Sequence, residues 1–326
     1  MAEVTYLEAL RQGLREELRR DERVFILGED VGKYGGAFKV TEGFQEEFGA
    51  GRVIDTPIAE AAIVGAAAGA AHMGMRPVVE MQFIDFISCA YNQLTNYVAT
   101  ARYRAGLACP MVVRGPYGGY VRGGPFHSQC PEAAFFHTPG LKIVAPATAR
   151  DAKGLIKAAV RDPDPVLYFE HKFLYRRIKE DLPEGEEVLT PIGVARVARE
   201  GTDLSIVTWS ALVWKSLDAA RQLEQEDGLS VEVLDLRTLL PMDDAAILAT
   251  VRKTNRVMIV HEDTRTGGLA GEITARINES AFAWLDAPVR RVTAADVPLP
   301  YAPSLEDAVL PQTEDVVRVA RELAAY

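Results

Sequence analysis

The chain has 326 residues, 48% hydrophobic and 25% charged, a globular balance that argues against long disordered segments. That length exceeds the usual single-domain size, so two domains are expected, each with its own core. The formal net charge of −10 is uneven: residues 1–189 carry 22 basic and 25 acidic groups, residues 190–326 carry 14 and 21, which disfavours nucleic-acid binding and makes a basic partner the better expectation.

From the N-terminus, MAEVTYLEAL lacks a basic region followed by an apolar core and leads directly into an amphipathic helix. No secretory signal is expected, and the expected location is cytoplasmic. VFILG (24–28) reads as a buried strand. In DTPIAE (55–60) a strand ends and a helix begins, with Pro57 fitting the first helical position and IAEAAIVGAAAGAAHMG supplying the helix. Glu60 opens that helix, where a carboxylate is favoured by the helix dipole whether or not it has a further role. Small residues at Ala61, Ala62, Gly65 and Ala66 permit close approach of another backbone or subunit.

VVEMQF (78–83) is a short apolar run leading through Asp85 into a long helix that includes SCAYNQLTNYVATARYRAG, with Gln82 and Phe86 one turn apart. The pair reads equally as one polar and one core residue at a strand exit. PMVVRG is a further strand. The glycine-rich YGGYVRGGPF then carries the chain to His127 in PFHSQCPEA (125–133), and loops of this kind often present catalytic groups on a rigid scaffold. LKIVAP and PVLYFE complete the strands of the first half. EDLPEGEEVLTPIG, around residues 180–192, has no apolar period and marks a linker. LSIVTWS, VEVLDLR, RVMIVHE and VRRVTA alternate with helical patterns in the second half. Continuous apolar runs alternating with helices mean α/β architecture with largely parallel sheets covered on both faces.

Several chemistries find no support. No run of eighteen apolar residues crosses a membrane. Cys89, Cys109 and Cys130 form no CxxC and read as reduced thiols. His72, His137, His171 and His261 form no HxxxH or HExxH pattern and read as structural. The loop GGYVRGG lacks the GK[ST] ending of a phosphate loop, and no GxGxxG follows the first strand.

The runs LGEDVG (27–32), TEGF (41–44), DTPIAE, EMQFIDF (80–86), RYRAG (102–106), HSQCPEA, DAKGLIKAAVRDPDPV (151–166), DLRTLLPMD (235–243) and HEDTRTGG (261–268) resemble, in order and spacing, the β subunit of the thiamine-diphosphate-dependent 2-oxo acid dehydrogenases. The resemblance spans residue 5 to residue 326. It implies two doubly wound α/β domains, a pyrimidine-binding domain over 1–186 and a transketolase C-terminal-type domain over 187–326.

It also implies roles. The glutamate aligned with Glu60 hydrogen-bonds the cofactor's aminopyrimidine and drives it toward the imino tautomer that deprotonates the thiazolium carbon, a task suited to a poorly solvated carboxyl. Ile58, Gln82 and Phe86 match residues beside the pyrimidine, Phe86 standing where some relatives have tyrosine. Ile58 reads equally as helix-start packing. His127 matches a residue on the cleft rim that steadies the substrate carboxylate or passes protons during acyl transfer to a lipoyl sulfur. A potassium site in relatives falls on Val112, Ala159, Asp162 and Asp164, with Asp164 replacing the usual asparagine; a polar turn in VRDPDP is the alternative.

The family holds the diphosphate through magnesium bound at a GDG motif and a later asparagine pair, and no GDG occurs in this sequence. The expected partner is therefore an α subunit that supplies the magnesium site, in a heterotetramer acting on a 2-oxo acid and passing acyl groups to a lipoyl acyltransferase. The acidic second half and Tyr326 suit docking to a basic domain of that acyltransferase. HSQCPEA and QFIDF look closest to branched-chain enzymes, then to pyruvate and acetoin enzymes; Phe126 and Phe86 suit an apolar substrate pocket. The alternative is a non-catalytic docking or scaffold subunit.

Overall fold

The apolar runs of the first half become parallel strands buried on both faces, as continuous rather than alternating hydrophobicity requires. The computed structural model describes residues 2–183, 185 and 187–326; Glu184 and Glu186 of the expected linker lie outside the described residues. Packing divides the chain into two units: residues up to Tyr117 with Ala134–Ile192, and Gly118–Ala133 with Gly193–Tyr326. The stretch carrying His127 thus groups with the second unit, which a single cut near residue 186 does not describe.

The first unit begins with β1 (Ala2–Thr5) and α1 (Tyr6–Arg20). The strand was not expected; it forms because these residues pair antiparallel with Lys179–Leu182. Thr5 then caps α1, its hydroxyl accepting from the Glu8 N–H at 3.2 Å while the Glu8 carboxylate accepts from the Thr5 N–H at 2.8 Å. There follow β2 (Val24–Gly28), α2 (Phe44–Phe48), β3 (Val53–Asp55), α3 (Glu60–His72), β4 (Arg76–Glu80), α4 (Ala101–Ala105), β5 (Val112–Tyr117), α5 (Glu132–Phe136), whose first two residues group with the second unit, β6 (Lys142–Val144), α6 (Ala149–Arg161), β7 (Val166–His171) and β8 (Lys179–Leu182). Within the unit the parallel order is β6-β7-β5-β4-β2-β3. Gly13 lets α1 cross α6 closely, since a Cβ there would lie 2.6 Å from Ile156 Cγ2.

This order reverses direction at β2: β3 lies on one side of it and β4 on the other. Such a reversal opens a crevice at the carboxyl ends of the strands, where ligands bind in open α/β sheets. Gly28, Asp55 and Glu80 share one rung there, and Glu60 opens α3 five residues after Asp55.

Two local expectations change. Pro57 lies outside α3, because Ala59 is the residue before the helix and Glu60 is its first member. The long helix expected after Asp85 is broken into a 3₁₀ segment at Ile84–Ala90, a π segment at Gln93–Val98 and then α4. Side chains compete with the backbone there: Thr95 donates to the Tyr91 carbonyl at 2.9 Å and Thr100 to the Asn96 carbonyl at 2.8 Å, which opens the regular ladder.

The second unit contains β9 (Arg196–Arg199), β10 (Leu204–Thr208), α7 (Ala211–Asp227), β11 (Val231–Asp235), β12 (Thr238–Leu240), α8 (Asp244–Thr254), β13 (Val257–Thr264), α9 (Ala270–Ala281), β14 (Arg290–Ala294), α10 (Pro303–Val309) and α11 (Thr313–Ala324). Its sheet runs β14-β13-β10-β11-β9, parallel except for the antiparallel edge strand β9. Here the order reverses at β10, between β11 and β13. Among the described residues no helix is long and apolar enough to cross a membrane.

Candidate functional site

In the first unit the crevice at β2 is lined with carboxyl groups. Glu29 follows the end of β2 and is buried; burial, then the charge of Glu60, then that of Asp30, raises its carboxyl above the ordinary range. Glu29 was not singled out from sequence, because LGEDVG offers two adjacent acids and no indication of which one turns inward. Glu60 is half-buried at the first position of α3. Gln82 Nε2 donates to Asp30 Oδ2 at 3.3 Å, which ties the segment after β4 to the segment after β2. Asp55 is held by the turn opposite, accepting from Gly32 N–H at 2.6 Å and Lys33 N–H at 3.2 Å. Structure thus brings Glu60 and Gln82 to one strand-end cluster with Glu29 and Asp30.

Ile58 is 81% exposed, so it is not helix-start packing. Phe86 is half-buried in the 3₁₀ segment that Gln82 precedes. Thr56 Oγ1 is inaccessible to solvent and has no hydrogen-bond partner, although the Thr56 N–H donates to the Gly28 carbonyl at 2.9 Å. An exposed apolar side chain, an unsatisfied hydroxyl, an amide and an interacting carboxyl pair thus stand on the segments that follow β2, β3 and β4.

Beneath this edge lies an ion cluster wholly within the sheet. Arg114 on β5 is 1% exposed and bonds Glu170 on β7, with Nη2 to Oε2 at 2.6 Å, and Glu80 on β4; Tyr175 donates to Glu170 Oε2 at 2.6 Å. Burial opposes the Arg114 charge, but Glu170 and Glu80 outweigh it and hold the guanidinium protonated. Burial raises the Glu80 carboxyl despite Arg114. Glu80 stands two residues before Gln82, so this cluster fixes the strand end from which the amide projects.

His127 belongs to the second unit and is half-buried. Its loop is strongly shaped: Tyr120 and Arg122 take φ of 61° and 64°, and Gly124 takes 69° where a Cβ would lie 2.2 Å from the Tyr301 ring. Tyr120 donates to the Pro311 carbonyl at 2.7 Å, and Arg122 pairs with Glu306 and with Asp307 at 2.8 Å. Phe126 is exposed. Of the other histidines, His72 meets the Ala108 carbonyl at 3.1 Å, while His171 and His261 are buried.

At the expected potassium position, Lys142 Nζ contacts both oxygens of Asp162 at 2.7 Å, and Arg102 and Lys142 hold Asp164. The Ala159 carbonyl accepts from the Asp162 N–H at 3.3 Å. Side-chain cations already neutralise these carboxylates, so the residues do not fit a further bare cation. Among the described residues no group of three or more His, Cys, Asp or Glu side chains is placed to hold a metal.

Comparison with known proteins finds relatives over the whole length of the chain. Residues 2–177 match the family model "Transketolase, pyrimidine binding domain" and residues 193–316 match "Transketolase, C-terminal domain". The chain is 50% identical over 329 residues to the 2-oxoisovalerate dehydrogenase subunit beta of Bacillus subtilis, covering 100% of both. It is 44% identical to the pyruvate dehydrogenase E1 component subunit beta of the same organism, again covering 100% of both, and 45% identical to the mitochondrial subunit beta-1 of Arabidopsis thaliana, covering 98% of this chain and 89% of that one. A solved structure described as a split-gene transketolase, inactive beta4 tetramer, superposes with a TM-score of 0.79 over 99% of this chain and 98% of its own; at 22% identity it speaks for the fold alone.

Proposed function

The chain belongs to the β subunits of the 2-oxo acid dehydrogenases, and from that premise we propose that it pairs with an α subunit to decarboxylate a branched-chain 2-oxo acid oxidatively and pass the acyl group to a lipoyl acyltransferase. The observation that carries the site assignment is the Glu29–Glu60 pair at the β2 crevice beside Gln82, Phe86 and Ile58. Thiamine diphosphate, when bound, supplies the electron sink that decarboxylation requires. Glu60 would exchange a proton with the cofactor's aminopyrimidine, and Glu29, whose carboxyl is raised by burial and by the charge of Glu60, adjoins it. Gln82 would hold the ring by hydrogen bonding, and Ile58 and Phe86 would offer it apolar surface. His127 serves as the acid or base on the substrate side. The diphosphate and its magnesium fall to the α subunit, because this sequence has no GDG motif.

The higher identity to the 2-oxoisovalerate enzyme than to the pyruvate enzymes supports the branched-chain preference. One assay tests the reading: decarboxylation with an artificial electron acceptor, using the chain alone and mixed with its candidate α subunit, on 3-methyl-2-oxobutanoate and on pyruvate. Activity in the mixture alone, faster on the branched substrate, is expected. Activity of the isolated chain would overturn the shared site, and none in either would favour a scaffold subunit.

Partner contact has a candidate surface in α3. Ile63, Val64, Ala67, Ala68 and Ala71 form its buried stripe, while Ala62, Gly65, Ala66 and Gly69 are exposed and small. Nothing lies within 4 Å of a Cβ built on Gly65. Gly65→Leu should therefore leave the chain folded, and slightly favour the helix by about 0.5–1 kcal/mol. The same change should abolish co-purification with the α subunit in size-exclusion chromatography; an intact complex would remove α3 from the interface.

A further inference from the structure

The crevice at β10 in the second unit holds a buried polar cluster that the proposed chemistry does not use. Glu132, at the end of the stretch that carries His127, is 2% exposed. Its Oε1 accepts from Trp209 Nε1 at 3.2 Å, and its Oε2 is buried with no hydrogen-bond partner. Trp209 directly follows β10 and stacks on His261 of β13, with centroids 5.3 Å apart and planes 12° apart. The other end of the stretch is tied to the same strand, where the Gly119 N–H donates to the Glu262 carboxylate.

We propose that Glu132 is a positioning residue for His127: as a neutral carboxylic acid it seats the end of the 118–133 stretch in the second unit's crevice, and its ionisation unseats that stretch. An anion at this place would have only the Trp209 indole and its own backbone N–H as donors and one unsatisfied oxygen, out of water, facing Asp263 and Glu262. The least costly relief is for Glu132 to move toward water, and His127 is only five residues away in the chain.

The surrounding charges agree. Burial and then the charge of Asp263, with a smaller part from Glu262, push the Glu132 carboxyl up to about 8. Burial also raises Asp263, with Glu262 and Asp296 adding to it, so the two carboxyls share protons as a pair. His261 supplies no positive charge, because burial pushes its imidazole down to about 3 and Arg291 adds to that. Lys215 on α7 places its ammonium within electrostatic reach of Glu262, and Arg291 acts on His261. Since the folded Glu132 carboxyl is raised, its seating is complete at mildly acidic pH and is lost as pH rises through the folded value.

This inference rests on His127 acting in catalysis, and the test separates the two. In the reconstituted enzyme, kcat/KM of the wild type should fall on an alkaline limb centred at about 8. Glu132→Gln, neutral and isosteric, should stay within about threefold of wild type at neutral pH and lose that limb, whereas Glu132→Ala should cost about tenfold or more across the range. In the full-length chain, the infrared carboxylic-acid C=O band present in wild type minus Glu132→Gln at neutral pH should disappear over the same pH interval. An unshifted limb in Glu132→Gln, or no such band, overturns the proposal. If His127→Ala is as active as wild type while the band titrates as stated, it is the catalytic reading of His127 that fails.

Discussion

Replacing Glu60 by alanine is expected to lower decarboxylation by the assembled enzyme about a thousandfold, within the 10²–10⁴ range that a positioned acid or base contributes. Glu60→Gln should be nearly as inactive, because an amide keeps the hydrogen bond but exchanges no proton. Both variants should fold and assemble normally. Glu60 is half-buried at a helix start, where the favourable dipole contribution it gives up is about 0.3–1 kcal/mol. The measurement is turnover with an artificial electron acceptor beside urea unfolding of each variant. A Glu60→Gln enzyme retaining a tenth or more of wild-type turnover would refute the proton-exchange role.

The largest expected effect on stability comes from Arg114→Met. Removing the guanidinium leaves Glu80 and Glu170 buried against each other with only the Tyr175 hydroxyl as a remaining donor among the bonds described. Breaking such a buried group from one side costs about 3–5 kcal/mol. The pH dependence has a definite sign. Glu80 already has a raised folded carboxyl, and loss of Arg114, which lowers it, raises it further. A raised carboxyl binds protons in the folded state that the unfolded chain releases, so stability falls as pH rises from the unfolded value through the folded one. The deficit of Arg114→Met should therefore be greatest at neutral to alkaline pH and shrink on mild acidification. Urea midpoints at two pH values test this, and a deficit that grows on acidification would reverse the assignment. Replacing all three ions by methionine should recover most of the loss, since a packed apolar set can match a buried ion cluster.

The α/β layering was legible because parallel strands need no alternation: VFILG and LSIVTWS carry their assignment in local composition. Glu60 was legible as a helix opener, but its chemistry came from the family resemblance. Glu29 was hidden because which of two neighbouring acids turns inward depends on the register of β2 against β4. The Arg114 cluster has a trace in the sequence. VVE, VVRG and LYFE each place one charge inside an apolar run, and strands covered on both faces cannot expose those charges, so they must find each other. The broken helix after Asp85 escaped because apolar period does not register a threonine hydroxyl bonding back to its own ladder. The grouping of 118–133 with the second unit depends on distant anchors, Pro311 and Glu306, which no local pattern announces.

That grouping also bears on modularity. The peptide leaves the first unit after Tyr117, returns at Ala134 and departs again after Ile192, so the two halves are laced rather than strung. A gene cut at the apparent linker would yield a leading fragment carrying Tyr120 and Arg122 without Pro311, Glu306 or Asp307 to receive them, and a trailing fragment whose Trp209 indole lacks Glu132. Recombination that shuffles one half of this protein into another must carry a matching stitch from the other half, which ties the inheritance of the two sheets together.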